Sequence, residues 1–272
     1  MPSLRNLQAR SVMVTVLLGV CGAFMAWWIG VPAPFLTGPA VVVSLAGLFG
    51  VNCQIPTFLR NACIIVIGLS LGSSVTPEIL KVAGAWPASL IGMCVSVSVV
   101  MLSGGIVLHR TFGLGRKTSL LASSPGHLSY VIGLSADIGA DTAVISVIQS
   151  MRVLLLTLAV PVAVATLTEA DMTLRPLGGN TLAFVDFGVL VVLAVLFGMF
   201  LAQIKVPAAF LISGMILSSF GHGTNLTPGG VSPAISTAAF VVMGSLIGTR
   251  FSGVSANLLR RSASGGIVLT LS

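Results

Sequence analysis

Five consecutive residues near the middle of the chain have the types and spacing to bind a polar solute. They interrupt the apolar stretch 119–136, and the proline and glycine among them stop a helix. A helix that breaks inside a membrane leaves N–H and C=O groups that can replace the water around a polar solute. The residues predicted to line this site are Ser123, Ser124, Pro125, Gly126 and His127. A packed kink or turn without a binding role is the alternative interpretation.

A second group of polar residues follows the break. Arg152 lies near the middle of the apolar run 141–167, where an arginine costs about 2.5–3.5 kcal/mol on membrane insertion. It therefore needs a partner or a function, and Asp137 or Asp186 could reach it from another element. A structural ion pair between helices and an anion-binding arginine are both consistent with the pattern. The functional interpretation predicts that Gln149 and Arg152 bind the solute and that Asp137 and Asp141 couple an ion.

Other kinds of chemistry have no support in the sequence. The histidines at 109, 127 and 222 lack the spacing of a metal centre, and nucleophile elbows, phosphate loops and dinucleotide fingerprints are absent. The four cysteines have no CxxC pair and no disulfide-frame spacing. We therefore expect no metal, no cofactor and no enzymatic activity.

Composition identifies the environment of these residues. The 272 residues are 56% hydrophobic and 7% charged, with a mean hydropathy of +1.10, which excludes an ordinary water-soluble protein. The net charge of +7 comes from scattered basic residues, a pattern typical of membrane topology signals and not of a nucleic-acid surface. The sequence predicts an all-α, polytopic helical bundle in contact with the bilayer. The expected spans are 12–29, 33–50, 60–77, 84–108, 141–167, 183–201, 206–220 and 234–250.

An internal repeat organises these spans. The motif Val-Pro-Ala-x-Phe-Leu occurs at 31–36 and again at 206–211, and the order of later glycines matches in both copies. Each copy carries a GxxxG, which permits close helix packing in membranes. The matched glycines are Gly68, Gly72, Gly244 and Gly248. We predict a first transmembrane repeat over 1–182 and a second, truncated repeat over 183–272.

Charge distribution predicts the orientation of the repeats. If the N-terminus with Arg5 and Arg10 is cytoplasmic and 119–136 re-enters the membrane without crossing it, the basic residues at 250–261 are also cytoplasmic. The repeats are then inverted, and every loop obeys the positive-inside rule. If 119–136 crosses fully, the repeats are parallel and these late arginines violate the rule.

Several short segments of the chain resemble the bacterial AbrB-type membrane proteins, a family known for an internal duplication. The residues that carry the resemblance are Leu-Ala-Ser-Ser-Pro-Gly-His-Leu-Ser at 121–129, Gly-Ala-Asp at 139–141, Gln-Ser-Met-Arg-Val at 149–153 and Pro161, with Gly-Thr-Arg at 248–250. The likeness covers nearly the whole chain, although similar proteins are longer. The family is often labelled ammonia monooxygenase or regulator of gene expression. It shares only a name with the small DNA-binding AbrB regulators.

Broken helices and inverted repeats are typical of secondary transporters. We therefore expect a multi-pass protein of the bacterial inner membrane that moves a small polar or anionic solute by alternating access. A membrane regulator or scaffold that affects gene expression without transport is the alternative. The sequence predicts no nucleic-acid partner and is compatible with a homo-oligomer.

Overall fold

The computed structural model describes residues 4–75, 86–126, 128–168, 181–224, 226–227, 229–254 and 266. This part of the chain contains ten α-helices. They are α1 Leu4–Ile29, α2 Pro34–Leu48, α3 Thr57–Gly72, α4 Trp86–Phe112, α5 Arg116–Ser123, α6 Leu128–Asp137, α7 Thr142–Thr168, α8 Phe184–Gln203, α9 Ala209–Gly223 and α10 Pro233–Thr249. Each of the eight predicted spans overlaps one of these helices.

The helices fit a membrane protein that crosses the bilayer several times. Within the described residues, α1, α4, α7 and α8 each contain an apolar segment long enough to span a bilayer. The helices α2, α3, α9 and α10 are also apolar but only 15–17 residues long. Every residue over 86–100 is exposed, and Phe184 at the start of α8 is 87% exposed. Such apolar surface suits lipid and not water, so the predicted all-α membrane class is confirmed.

The two Val-Pro-Ala motifs adopt the same local conformation. Each ends in an alanine with left-handed backbone, Ala33 with φ of 50° and Ala208 with φ of 53°. These alanines precede the first residues of α2 and α9. A residue with a Cβ is disfavoured in this conformation by roughly 1–2 kcal/mol, so both turns must be held by the packing that follows them.

Four helices form the core, and they pack through glycine. Gly68 and Gly72 of α3 lie against α9, where a Cβ added at either glycine would be 2.5 Å from the carbonyl oxygen of Leu211 or Met215. In the same way, Gly244 and Gly248 of α10 lie against α2. Each glycine pair therefore brings two helix backbones into direct contact.

The helices α3 and α10 run in opposite directions where they meet. Ser70, near the end of α3, lies with its hydroxyl oxygen 3.2 Å from that of Ser236, near the start of α10. Further along the pair, Leu59 of α3 lines an apolar groove together with Ala238 and Val242 of α10. The start of α3 therefore lies beside the later part of α10, and the two helices are antiparallel.

The remaining helices surround this core. Helix α1 packs on α2, with Gly22 against Gly38, and α8 packs on α9, where the Ser213 hydroxyl donates to the Ala194 carbonyl at 2.8 Å. Helices α4 to α7 form a separate group in which α5 contacts α4 and α7. Because α7 also touches α2 and α10, it connects this group to the core.

Candidate functional site

The segment after α4 folds into a hairpin of two short helices. Helix α5 ends at Ser123 and α6 begins at Leu128, so the helix is interrupted where the Ser-Ser-Pro-Gly-His run lies. At the open end of the hairpin, the Lys117 ammonium donates to the Ile138 carbonyl at 3.1 Å. Here the Asp141 amide also donates to the Thr118 hydroxyl at 3.1 Å. The start of α5 therefore lies beside the end of α6.

Two side chains of α7 bind the tip of this hairpin. Arg152 donates from Nη1 to the Ser123 carbonyl at 3.0 Å and from Nη2 to the Ser124 carbonyl at 3.1 Å. Gln149 donates from Nε2 to the Leu121 carbonyl at 2.9 Å. The last carbonyls of a helix have no partner within the helix, and a cation near them is favourable. Arg152 and Gln149 thus cap the end of α5.

The tip lies deep along α7. Gln149 and Ser123 are 2% and 1% exposed, and Arg152 is half-buried. From Asp141 at the base to Arg152, an α-helix rises about 16 Å. This is about half the thickness of a bilayer's hydrocarbon core, which is roughly 30 Å. In a membrane-spanning α7, the tip therefore lies near the midplane.

Helix α4 also contacts the tip of the hairpin, and the sequence analysis did not predict this contact. The Ser123 hydroxyl lies 2.8 Å from the Met101 carbonyl oxygen and 3.0 Å from that of Leu120. A Cβ added at Gly105 would be 3.3 Å from the Ser123 hydroxyl oxygen, so this glycine leaves room for the approach. The adjacent pair Gly104 and Gly105, in an otherwise bulky apolar run, is the sequence signal that could have identified this contact.

Neither aspartate considered as a partner of Arg152 bonds to it. In the described part of the chain, the guanidinium donates to two backbone carbonyls, and no carboxylate oxygen lies within 4.0 Å of it. Asp137 ends α6 at the base of the hairpin, and Asp186 lies in the first turn of α8. The acceptors that satisfy Arg152 arise from the break in the helix itself, and a search among side chains does not reveal them.

The two aspartates predicted to couple an ion lie at the base and not at the tip. Asp141 is exposed and caps the start of α7, because its Oδ1 accepts from the amides of Ala143 and Val144 at 3.1 and 3.0 Å. Asp137 is exposed as well. The structure therefore gives Asp141 a local structural role and leaves the coupling roles as predictions.

The remaining predicted residues divide into three groups. Pro125 and Gly126 are exposed at the tip, next to the carbonyls that Arg152 binds. His127 lies outside the described residues. The four glycines belong to the core and not to the hairpin: Gly68, Gly72, Gly244 and Gly248. The structure thus brings together Ser123, Ser124, Gln149 and Arg152.

This arrangement has the donors to bind an anion. A guanidinium carries five N–H donors and is always charged. The two bonds to the tip leave further N–H groups of Arg152 for another acceptor. With no carboxylate beside it among the described residues, Arg152 presents an uncompensated positive charge next to an exposed Pro-Gly turn.

Comparison with known proteins gives a family and two relatives. A family model described as "Transition state regulatory protein AbrB" matches residues 35–272. The chain is 34% identical over 110 residues to "Uncharacterized protein YhjN" of Bacillus subtilis (strain 168), which is 40% of this chain and 28% of that relative. It is 30% identical over 127 residues to "Putative regulator AbrB" of Escherichia coli (strain K12), which is 45% of this chain and 35% of that relative. These matches span well under half the length of either relative. No solved structure matches the chain.

Proposed function

The chain belongs to the AbrB family of membrane proteins, and from that premise we propose that it is a secondary transporter of a small anionic solute. The solute binds at the tip of the α5–α6 hairpin, between Arg152 and the Pro-Gly turn. The protein exposes this site to one side of the membrane at a time by alternating access. We propose that it does so in the bacterial inner membrane.

One observation carries this proposal: a broken helix ends halfway along α7, and an arginine binds the exposed carbonyls there. An arginine in mid-membrane is expensive unless it has a partner or a task. Two carbonyl bonds satisfy part of its hydrogen-bonding capacity but do not neutralise its charge. An anion would neutralise it, and discontinuous helices near the midplane are the usual position of transporter sites.

Inverted repeats are the second part of the proposal. Helices α3 and α10 carry the matched GxxxG motifs, and their antiparallel contact supports an inverted relationship. The shared left-handed alanines before α2 and α9 support the same pairing. We propose that these repeats occupy 1–182 and 183–272 and move relative to one another through the α3–α10 contact.

We also propose that Asp137 or Asp141 carries the coupling proton or cation. Both carboxylates are exposed at the base of the hairpin, about 16 Å along α7 from the arginine. An ion bound there would contact the base of the hairpin, where the start of α5 lies beside the end of α6. We further propose that the protein uses no cofactor and catalyses no reaction.

The test uses proteoliposomes that contain purified protein and measures electrogenic or pH-linked uptake with a panel of small carboxylates and inorganic anions. We expect the wild type to respond to at least one anion and Arg152→Ala to lose the response. Arg152→Lys should lose most of it, because an ammonium keeps the charge but cannot bridge two carbonyls as a planar guanidinium does.

The matched control is Arg110→Ala, which removes an exposed arginine from the last turn of α4. It should transport like the wild type. Equal uptake by Arg152→Ala and the wild type would remove Arg152 from the site. An absence of uptake with every anion, together with altered gene expression on deletion, would favour a membrane regulator, in line with the name of the Escherichia coli relative.

Orientation is tested separately with paired reporters fused at Thr173, one active outside and one active in the cytoplasm. Inverted repeats with a cytoplasmic N-terminus and a re-entrant hairpin predict an outside signal. A cytoplasmic signal would instead mean that 119–136 crosses the membrane and that the repeats are parallel.

A further inference from the structure

Two arginines lie at the same end of the antiparallel pair α3 and α10, far from the hairpin in sequence. Arg60 lies in the first turn of α3, and Arg250 directly follows the last residue of α10. Their proximity follows from the direction of the two helices, because the Ser70–Ser236 contact marks the opposite end of the same pair. The two positive charges therefore occupy the same membrane face of the core.

Hydrogen bonds between separate segments hold this end of the molecule together. The Ser252 hydroxyl donates to the Val51 carbonyl at 3.1 Å and accepts from the Cys53 amide at 3.2 Å. The Gln54 amide donates to the hydroxyl of Thr15 on α1 at 2.9 Å. The turn after Arg250 is thus bonded to the loop that leads into α3. These bonds hold the segments that carry the two arginines beside each other.

Among the residues that the structure describes, no counter-ion lies beside this pair. Residues 1–77 and 187–272 contain no aspartate or glutamate, and among the described residues no carboxylate lies within 4.0 Å of either arginine. Arg60 donates from Nε to the neutral side-chain amide oxygen of Asn61 at 3.3 Å. Arginine stays charged in proteins, so two positive charges at the same end of the pair favour the binding of an anion there.

The surroundings indicate where that anion comes from. Phe49, just after α2, is 86% exposed, and Phe58, in the first turn of α3, is 83% exposed. Helices α3 and α10 are apolar up to this end. Large exposed apolar rings suit contact with lipid, and arginines at the ends of membrane helices reach the membrane–water interface. There the most abundant fixed anion is the phosphate of a lipid headgroup.

We propose that Arg60 and Arg250 together bind the phosphate of an anionic phospholipid, with Phe49 and Phe58 in contact with the adjoining lipid. A guanidinium offers two parallel donors that match phosphate geometry. The site lies on the α3–α10 pair, so a bound lipid would link helices from both halves of the chain. This inference does not depend on the transport proposal.

The experiment measures lipid binding to the purified full chain in neutral detergent by native mass spectrometry, with phosphatidylglycerol and phosphatidylcholine at equal concentration. We expect phosphatidylglycerol to bind in preference, and Arg60→Gln and Arg250→Gln each to weaken it about fivefold. The matched control, Arg110→Gln, should keep the preference. Equal binding of both lipids by the wild type, or full retention in both variants, would overturn the proposal.

A second arm separates a lipid from a free anion. Millimolar inorganic phosphate should not raise the thermal unfolding temperature of the lipid-free protein, whereas phosphatidylglycerol should raise it. If phosphate alone raises that temperature and the two glutamine variants abolish the rise, the pair binds a soluble anion and the lipid proposal is wrong. Where a glutamine variant fails to fold, Arg60→Lys and Arg250→Lys replace it, because lysine keeps the charge. A loss of lipid preference in the folded lysine variants supports a bidentate bond between guanidinium and phosphate.

Discussion

The core of α2, α3, α9 and α10 and the α5–α6 hairpin are held together by different kinds of contact. In the core, glycines bring backbone against backbone over the length of each helix pair. In the hairpin, apolar side chains pack against α4 and α7 in a cluster of Leu108, Ala122, Val131, Ile145 and Ile148. Polar side chains also bond to backbone carbonyls and amides at the tip and the base. The carbonyls at the tip belong to a helix end, so they depend on these side-chain donors. The core should therefore be sensitive to added volume, and the hairpin to lost hydrogen bonds.

The largest effect should come from adding one methyl group to the core. Gly68→Ala places a Cβ about 2.5 Å from the Leu211 carbonyl oxygen, and backbone cannot move aside as a side chain would. We expect a loss of about 3 kcal/mol of stability, measured as a fall in thermal unfolding temperature in detergent. Gly92→Ala on α4, where nothing lies within 4 Å of the new methyl group, is the matched control. A similar fall in both variants would contradict the packing explanation, because alanine favours a helix over glycine and should not by itself lower stability.

A smaller and more local effect should follow removal of one cap at the hairpin tip. Gln149→Met keeps the side-chain length but removes the donor to the Leu121 carbonyl at 2.9 Å and to the Ser124 carbonyl at 3.4 Å. The Leu121 carbonyl keeps only its bond from the Ser124 hydroxyl, so we expect stability to fall by about 2 kcal/mol. Hydrogen exchange should accelerate over 116–137 and stay unchanged in α3 and α9. Gln54→Met, an exposed change of the same kind, should accelerate neither. Equal acceleration in core and hairpin would show that the two regions open as one unit.

The smallest effect should appear at the base. Asp141→Ala removes the acceptor for two amides of α7 and should lower stability by about 1 kcal/mol, while Asp141→Asn should keep most of the cap. If Asp141 also couples an ion, the asparagine variant will unfold like the wild type but transport poorly. Unfolding temperature and uptake measured on both variants separate the roles, and full uptake by Asp141→Asn would assign the residue to capping alone.

The position of the helices was predictable because apolar runs of membrane length leave few alternatives, and all eight predicted spans overlap helices. The Ser-Ser-Pro-Gly run likewise marked the break between α5 and α6, because proline and glycine act locally. The partners of these elements were not predictable. The spacing of Gly68 and Gly72 indicates close packing, but it does not indicate that the partner is α9.

Arg152 shows the same limit at the site. Its position in an apolar run signalled the need for a partner, and the sequence offered only side chains such as Asp137 as candidates. The true acceptors are the Ser123 and Ser124 carbonyls, which every residue possesses and which become available only where a helix ends. The Met101 carbonyl was missed for the same reason. Backbone acceptors carry no sequence signature of their own.

The pairing of α3 with α9 and of α2 with α10 also has a consequence for the synthesis of the protein. Helix α3 ends at Gly72, but the surface on which its glycines pack begins at Ala209. At about 5–20 residues per second, the ribosome takes on the order of ten seconds to make the intervening chain. During that interval the glycine face of α3 has no α9 to pack on and is open to lipid or to chaperones of membrane insertion. Helix α2 can already pack on α1 but still lacks α10. The second half of the molecule therefore completes the first, and a nascent chain arrested before α9 would leave a pair of helices that cannot yet form the core.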